Sequence, residues 1–163
     1  MAIQNPIPTA YDPRNIEFLI GLIEPYDFAP DTKIVINKTE DLVIPQAGVN
    51  GTVAFSINTN TLGTATLSLK NTSKFNQNLM LWAANLTQFD IGLVPFFSFQ
   101  LKDPSSQLGI ETYGWIQSQP DWTIGSEIGQ LDWVIGLADA RYKMFQGQSA
   151  VEPITAYSAG ALV

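Results

Sequence analysis

Apolar residues alternate with small hydroxyl and amide residues along much of the chain. In 52-TVAFSIN-58, Val53, Phe55 and Ile57 share one face. In 64-TATLSLK-70, Ala65, Leu67 and Leu69 share one face, and Thr64, Thr66 and Ser68 share the other. A period of two is the mark of a half-buried strand. The link Thr59–Gly63 is short, so these two strands are expected to form a hairpin with each other. Upstream, a strand is expected over about 16–22, broken before Pro25, followed by short β-rich runs 33-KIVINK-38 and 42-LVIP-45. The polar connector Thr39-Glu40-Asp41 between those runs reads as a hairpin link. The stretch 46-QAGVNG-51 reads as a turn, with Asn50-Gly51 as its strongest signal.

The period then changes. Phe75, Leu79, Trp82 and Leu86 recur at i, i+4, i+7 and i+11, one face of a helix, with N-cap candidates in Asn71-Thr72-Ser73. A helix is expected over about 74–87. Alternation returns in 94-VPFFSFQL-101, 110-IETYGWIQ-117, 121-DWTIG-125 and 129-GQLDWVIGLAD-139, with a turn at Asp103-Pro104-Ser105-Ser106. Eight or so short strands and one helix predict a mainly-β fold, an antiparallel β-sandwich or barrel. Residues 1–13 and 141–163 lack a clear period and read as extended N- and C-terminal arms around a domain over 14–140. No period of 20–50 residues repeats.

Composition narrows the function. Only 14 % of the 163 residues are charged, against about 25 % in an ordinary globular domain. Much of the surface must therefore be neutral polar, or buried against something else. Net charge is −7 and the pI about 4.3, the wrong sign for gripping phosphates. With no histidine and no cysteine, Ser-His-Asp and Cys-His catalysis, the usual zinc sites and disulfides are all excluded. No cofactor is expected. Acidic pairs are the remaining catalytic raw material. Glu40-Asp41 reads as a solvated turn, and Asp121, Glu127 and Asp132 read as solvated strand ends, because no D-x-D-x-D-G loop accompanies them. An enzyme is not expected. The N-terminus has neither a basic n-region nor an apolar h-region, no apolar run approaches a membrane span, and no membrane anchor is expected. The N-x-S/T matches at Asn37, Asn50, Asn71 and Asn85 read as chance in a Thr/Asn-rich chain. Trp82 and Trp133 lie in apolar rows and are expected in the core. Trp115 and Trp122 flank a Gln/Ser/Pro turn and are candidates for a neighbour or a glycan.

The order of these signals is specific. The runs 11-YDPRNIEFLIG-21 and 31-DTKIVINKTEDLVIPQAGVNGTVAFSINTNTLGTATLSLKNTSKFNQNLMLW-82, followed by 115-WIQSQPD-121 and 131-LDWVI-135, resemble the tail tube proteins of contractile-tailed bacteriophages. The resemblance covers about residues 11–140. It departs from the family at Leu131, where an Arg is common, and in 52–58, where charges are common. The resemblance implies a non-enzymatic virion protein assembled in the host cytoplasm. Its subunits form rings, usually of six, that stack into a hollow tube inside a contractile sheath. The implied partners are further copies of itself, the tail sheath protein, and baseplate and tail-terminator proteins. Tape measure protein and genomic DNA pass through the lumen without specific binding.

Two sets of residues follow as expectations. Glu40, Asp41, Leu42, Val43, Ile44, Asn50 and Gly51 are expected to form a loop reaching the next subunit. Thr52, Ser56, Asn58, Thr64, Thr66 and Ser68 are expected to face the lumen, where hydroxyl and amide rows are wetted without binding phosphate. Six copies would sum to a formal charge of roughly −40, which repels DNA from the wall. Two other readings stay open: the tube of a phage-tail-like secretion or bacteriocin particle, and a soluble carbohydrate-binding β-sandwich using Trp115 and Trp122.

Overall fold

The computed structural model describes residues 11–31, 33–88 and 96–144. A 3-10 turn, Pro13–Asn15, precedes nine strands and one helix among these residues: β1 (Glu17–Ile20), β2 (Ile34–Lys38), β3 (Val43–Ala47), β4 (Val53–Ile57), β5 (Gly63–Lys70), α1 (Phe75–Gln88), β6 (Phe97–Asp103), β7 (Leu108–Ser118), β8 (Gln130–Leu137) and β9 (Lys143–Met144). The main sheet has the order β1-β6-β7-β8-β5-β2, with β9 paired to β7, and β3 and β4 form a separate two-stranded sheet. Every pair is antiparallel. The mainly-β antiparallel fold with one helix is as the periodicity predicted.

One face of the sheet carries the core. Phe18 and Ile20, Phe97 and Phe99, Ile110 and Ile116, Trp133, Ile135 and Leu137, and Ala65, Leu67 and Leu69 are all buried there. The sheet curls, so that Phe18 on one edge strand reaches the ring of Phe28, which bridges to Leu69 near the other edge. Helix α1 packs on one end of this curl. Phe75 and Leu79 are fully buried, and Trp82 stacks on Phe97 at 5.0 Å between centroids. Leu86, the fourth member of the expected face, lies outside the residues whose side chains are described. Ser73 caps the helix: its Oγ accepts from the Phe75 amide and donates to the Tyr26 carbonyl. Trp133, at the centre of the core, donates its Nε1–H to Asn76 Oδ1 at 3.0 Å, and Asn76 in turn donates to the Lys70 carbonyl. The buried polar atoms of strand and helix are thereby mutually satisfied.

The connectivity differs from the expectation in three places. Strand β4 pairs with β3, not with β5, while β5 lies between β2 and β8. Side-chain turns cause this. Asn58 Oδ1 accepts from the Asn60 amide and Asn60 Oδ1 from the Leu62 amide. These two consecutive bends turn the chain away from a β4–β5 hairpin. For the same reason 33–38 and 42–45 do not pair across Thr39-Glu40-Asp41. Instead the Thr39 amide donates to the Leu62 carbonyl, closing β2 on β5 beneath the β3–β4 hairpin. The segment 121–125 is not a strand, because β8 already has β7 and β5 on its two sides. Residues 1–10 and 145–163, most of the two expected arms, lie outside the described residues, as do Val94 and Pro95. Lys143–Met144, within the expected C-terminal arm, pairs with the start of β7.

Candidate functional site

The hairpin β3–β4 is built by a local code. The Gly51 amide donates to the Gly48 carbonyl and the Gly48 amide to the Thr52 carbonyl, and Gly51 adopts φ +77°, a conformation that L side chains rarely take. The resulting register places Val43 opposite Ile57, Pro45 opposite Phe55, and Ala47 opposite Val53. One face of the hairpin is therefore wholly apolar. The other carries Ile44, Gln46, Ala54 and Ser56. From Leu42 to Asn58 there is no charged residue. None of the apolar face is covered by the described residues: Val53 is 57 %, Phe55 71 % and Ile57 80 % exposed. An isolated two-stranded hairpin is marginal in water, and a contiguous apolar face on one marks an interaction surface.

All seven residues expected in an inter-subunit loop fall on this hairpin or its root, and all are exposed. Leu42, Val43 and Ile44 lead into β3, and Asn50-Gly51 forms the tip. Glu40 and Asp41 sit at the root. Asn58 donates its side-chain amide to Glu40 there, and hydrogen bonds from Asn58 and Asn60 hold the Glu40 carboxyl below the ordinary carboxylate range. Sequence reasoning did not single out Val53, Phe55 and Ile57, which alternation placed on one face of a half-buried strand. The charge-free run and Pro45, a residue confined to sheet edges, were the available signals.

The residues expected to face a lumen are divided by the structure. Thr64, Thr66 and Ser68 lie on the face of the main sheet opposite the core, beside Asn37 and Val35 of β2 and Gly136, Val134 and Asp132 of β8. Of the three, only Thr64 and Thr66 are partly exposed. Ser68 is buried where its backbone pairs with Ala29 and Lys33, so it does not line an open wall in the subunit. This face is neutral around Thr64 and Thr66, and carries charge toward its α1 end, in Asp132 and, by alternation, Lys70. Trp115 lies directly on Gly136, where an added Cβ would stand 2.3 Å from the indole, and its ring meets Phe96 edge-on. By strand alternation, Thr52, Ser56 and Asn58 belong to the non-apolar side of the hairpin instead.

A second uncovered apolar surface lies at the end of the sheet that carries α1. The segment 119–129 links β7 to β8 and is anchored where the Asn71 amide donates to the Gly129 carbonyl. It holds Trp122, Ile124 and Ile128 at 76 %, 79 % and 71 % exposure. The hairpin emerges at the other end, since Lys38 and Gly63, which flank it, pair with each other there.

No family model matches the chain, and no curated protein matches it. A solved structure does. The chain shares its fold with a tube-terminating cap. The match is to the cryo-EM structure of the anti-feeding prophage cap, with a TM-score of 0.53 at 15 % identity, covering 88 % of this chain and 95 % of the cap. At that identity the likeness is one of fold.

Charge adds little chemistry to this fold. The two arginines are each folded back on an aspartate two residues earlier, Arg14 on Asp12 at 2.8 Å and Arg141 on Asp139 at 2.7 Å. These guanidinium hydrogen bonds hold both carboxyls below their usual range. Partial burial pushes the Asp103 carboxyl up, but hydrogen bonds from Ser105 and Ser106 outweigh it and the net shift is downward. All these groups favour the charged state, unlike a general acid or base poised near neutrality. Among the described residues no cluster of three or more Asp or Glu side chains is gathered to hold a metal ion.

Proposed function

We propose that this chain is a structural, non-enzymatic subunit of a contractile-tail-type tube. It self-assembles into stacked rings around a channel, six subunits to a ring, and works as part of a virion tail or a tail-like particle. The observation that carries this reading is the β3–β4 hairpin, an apolar face with no cover among the described residues. Its marginal stability alone makes a neighbouring subunit the natural third layer. The ordered sequence resemblance to tail tube proteins and the fold shared with a tube cap support the same reading. The half-buried hydroxyls of Thr64 and Thr66 suit a channel wall that DNA must slide past, because their strand neighbours Asn37, Val35, Gly136 and Val134 include no cation that would bind phosphate. Sheath, baseplate and terminator proteins are the partners such a tube requires. The similarity to the anti-feeding prophage cap favours a phage-tail-like injection particle as a second version of the same role.

A glycan-binding module is less well supported. Gly136 occupies one face of the Trp115 ring, which leaves Trp122 as the freely exposed indole of the pair. Negative-stain electron microscopy of the purified protein at rising concentration tests the proposal. Rings or tubes with a stain-filled centre are expected. A protein that stays monomeric with tail components present, and that binds glycans, would reject it.

A further inference from the structure

The tip of the hairpin carries a chemistry of its own. Of the chain's asparagines, only Asn50 is followed by glycine. The pair stands in the turn that joins β3 to β4, closed where the Gly48 amide donates to the Thr52 carbonyl. Val49, Asn50 and Gly51 are all exposed. The Asn50 carboxamide has no hydrogen-bond partner among the described residues. Gly51 presents no side chain, and a Cβ built on it would meet nothing within 4 Å. The carboxamide carbon of Asn50 can therefore approach the Gly51 nitrogen unhindered.

We infer that Asn50 is a site of spontaneous deamidation, and that packing of the hairpin against a neighbouring subunit protects it. The protection rests on the tube reading above; the modification does not. The Gly51 nitrogen, its proton lost to base, attacks Asn50 Cγ. The new N–Cγ bond forms as the Cγ–Nδ2 bond breaks, and ammonia leaves. Water then opens the resulting succinimide at either carbonyl, giving aspartate or isoaspartate. The net change is an amide and water converted to a carboxylate and ammonium, with no oxidant or reductant. Asn58, Asn60 and Asn76 differ on both counts. Their carboxamides are held in hydrogen bonds, and the residues that follow them are Thr, Thr and Gln.

The closed turn restrains the reaction, because the Gly51 amide donates to the Gly48 carbonyl at 3.0 Å. The attacking nitrogen is released only when the turn opens. A two-stranded hairpin with no third layer among the described residues opens readily. A subunit lying on the hairpin would hold the turn shut. Either product puts a negative charge into the run from Leu42 to Asn58, which has none, and isoaspartate also lengthens the backbone of the turn by one carbon.

The full chain is incubated in warm, mildly alkaline buffer and followed by intact mass and by peptide fragmentation with isoaspartate detection. A gain of one mass unit at Asn50 is expected, at least several-fold faster than at any other asparagine. It should accelerate with pH, because the attacking nitrogen must be deprotonated. Asn50→Ser keeps a residue that suits a turn and removes the carboxamide; it is expected to abolish the gain. A gain that is absent, that persists in Asn50→Ser, or that comes first at another asparagine overturns the site. Free subunit and tubes, separated by sedimentation, are then incubated side by side. Asn50 is expected to react at least several-fold more slowly in tubes. Equal rates overturn the protection and leave the site and the tube standing. A chain that deamidates at Asn50 but forms no tubes with tail components present overturns the tube reading and the protection with it, and leaves the site.

Discussion

Strands β4 and β5 are written in the same alternating code, yet β5 has an apolar face that is fully buried and β4 has one that is open to solvent. In β5, Ala65, Leu67 and Leu69 are flanked by β2 and β8 and lie within the core that α1 completes. In β4, Val53, Phe55 and Ile57 meet one partner strand and, among the described residues, no third layer. Alternation decides which residues share a face. It does not decide whether anything covers that face. Among the described residues nothing covers the Phe, Ile and Val of β4, and the proposed function assigns that missing layer to a neighbouring subunit.

The comparison can be broken most sharply on the buried side. Trp133→Ala removes the largest fully buried side chain and leaves Asn76 Oδ1 without its donor. A loss of about 3–5 kcal/mol is expected by chemical denaturation. Gly63→Ala comes next, because its Cβ would stand 2.3 Å from the Ala140 Cβ and 2.7 Å from the Asn37 carbonyl oxygen. Overpacking there is expected to cost about 1–3 kcal/mol and to loosen the root of the hairpin.

A smaller effect tests the Asp139–Arg141 fork. Its aspartate side chain is only 23 % exposed but its arginine is largely solvated, so Asp139→Asn is expected to cost about 0.2–1 kcal/mol at pH 7. The Asp139 carboxyl is held below its unfolded value. Its stabilisation is therefore present above the unfolded pKa and lost as pH falls through the folded one. The difference between wild type and variant should shrink from about pH 4 downward. A difference that persisted unchanged in acid would remove the ion pair as its cause.

The smallest effect on the isolated subunit is the most telling one. Phe55→Ser is expected to leave monomer stability within about 0.5 kcal/mol, as for an ordinary surface change, while abolishing rings and tubes by electron microscopy. A stability loss comparable to that of Trp133→Ala would mean that Phe55 is core after all. Unchanged assembly would mean that the hairpin is not the interface.

Much of the fold was legible because short-range physics governs it. The helix began within a residue of its expected start, since Ser73 can cap it and Phe75 and Leu79 fall on one face. The Asn50-Gly51 turn and the Asp103–Ser106 turn formed where their residues favour them. Strand pairing was less legible. Asn58 and Asn60 each bend the backbone by a bond to an amide two residues on, and two such bends in succession redirected β4 from β5 to β3. The expected strand at 121–125 failed for a different reason: a strand needs a free neighbour, and β8 had none to offer.

The sequence by itself determined the mainly-β class, the helix, the turns, the absence of histidine and cysteine chemistry, and the acidic, charge-poor character of the surface. All of these depend on residue identity and on contacts a few positions apart. Only the tertiary structure decided which alternating faces are core. It also decided that the candidate lumen residues belong to two different sheets, and that two uncovered apolar surfaces stand at opposite ends of the subunit. Those facts depend on which strands become neighbours across the chain, and alternation along a single strand carries no information about what lies opposite it.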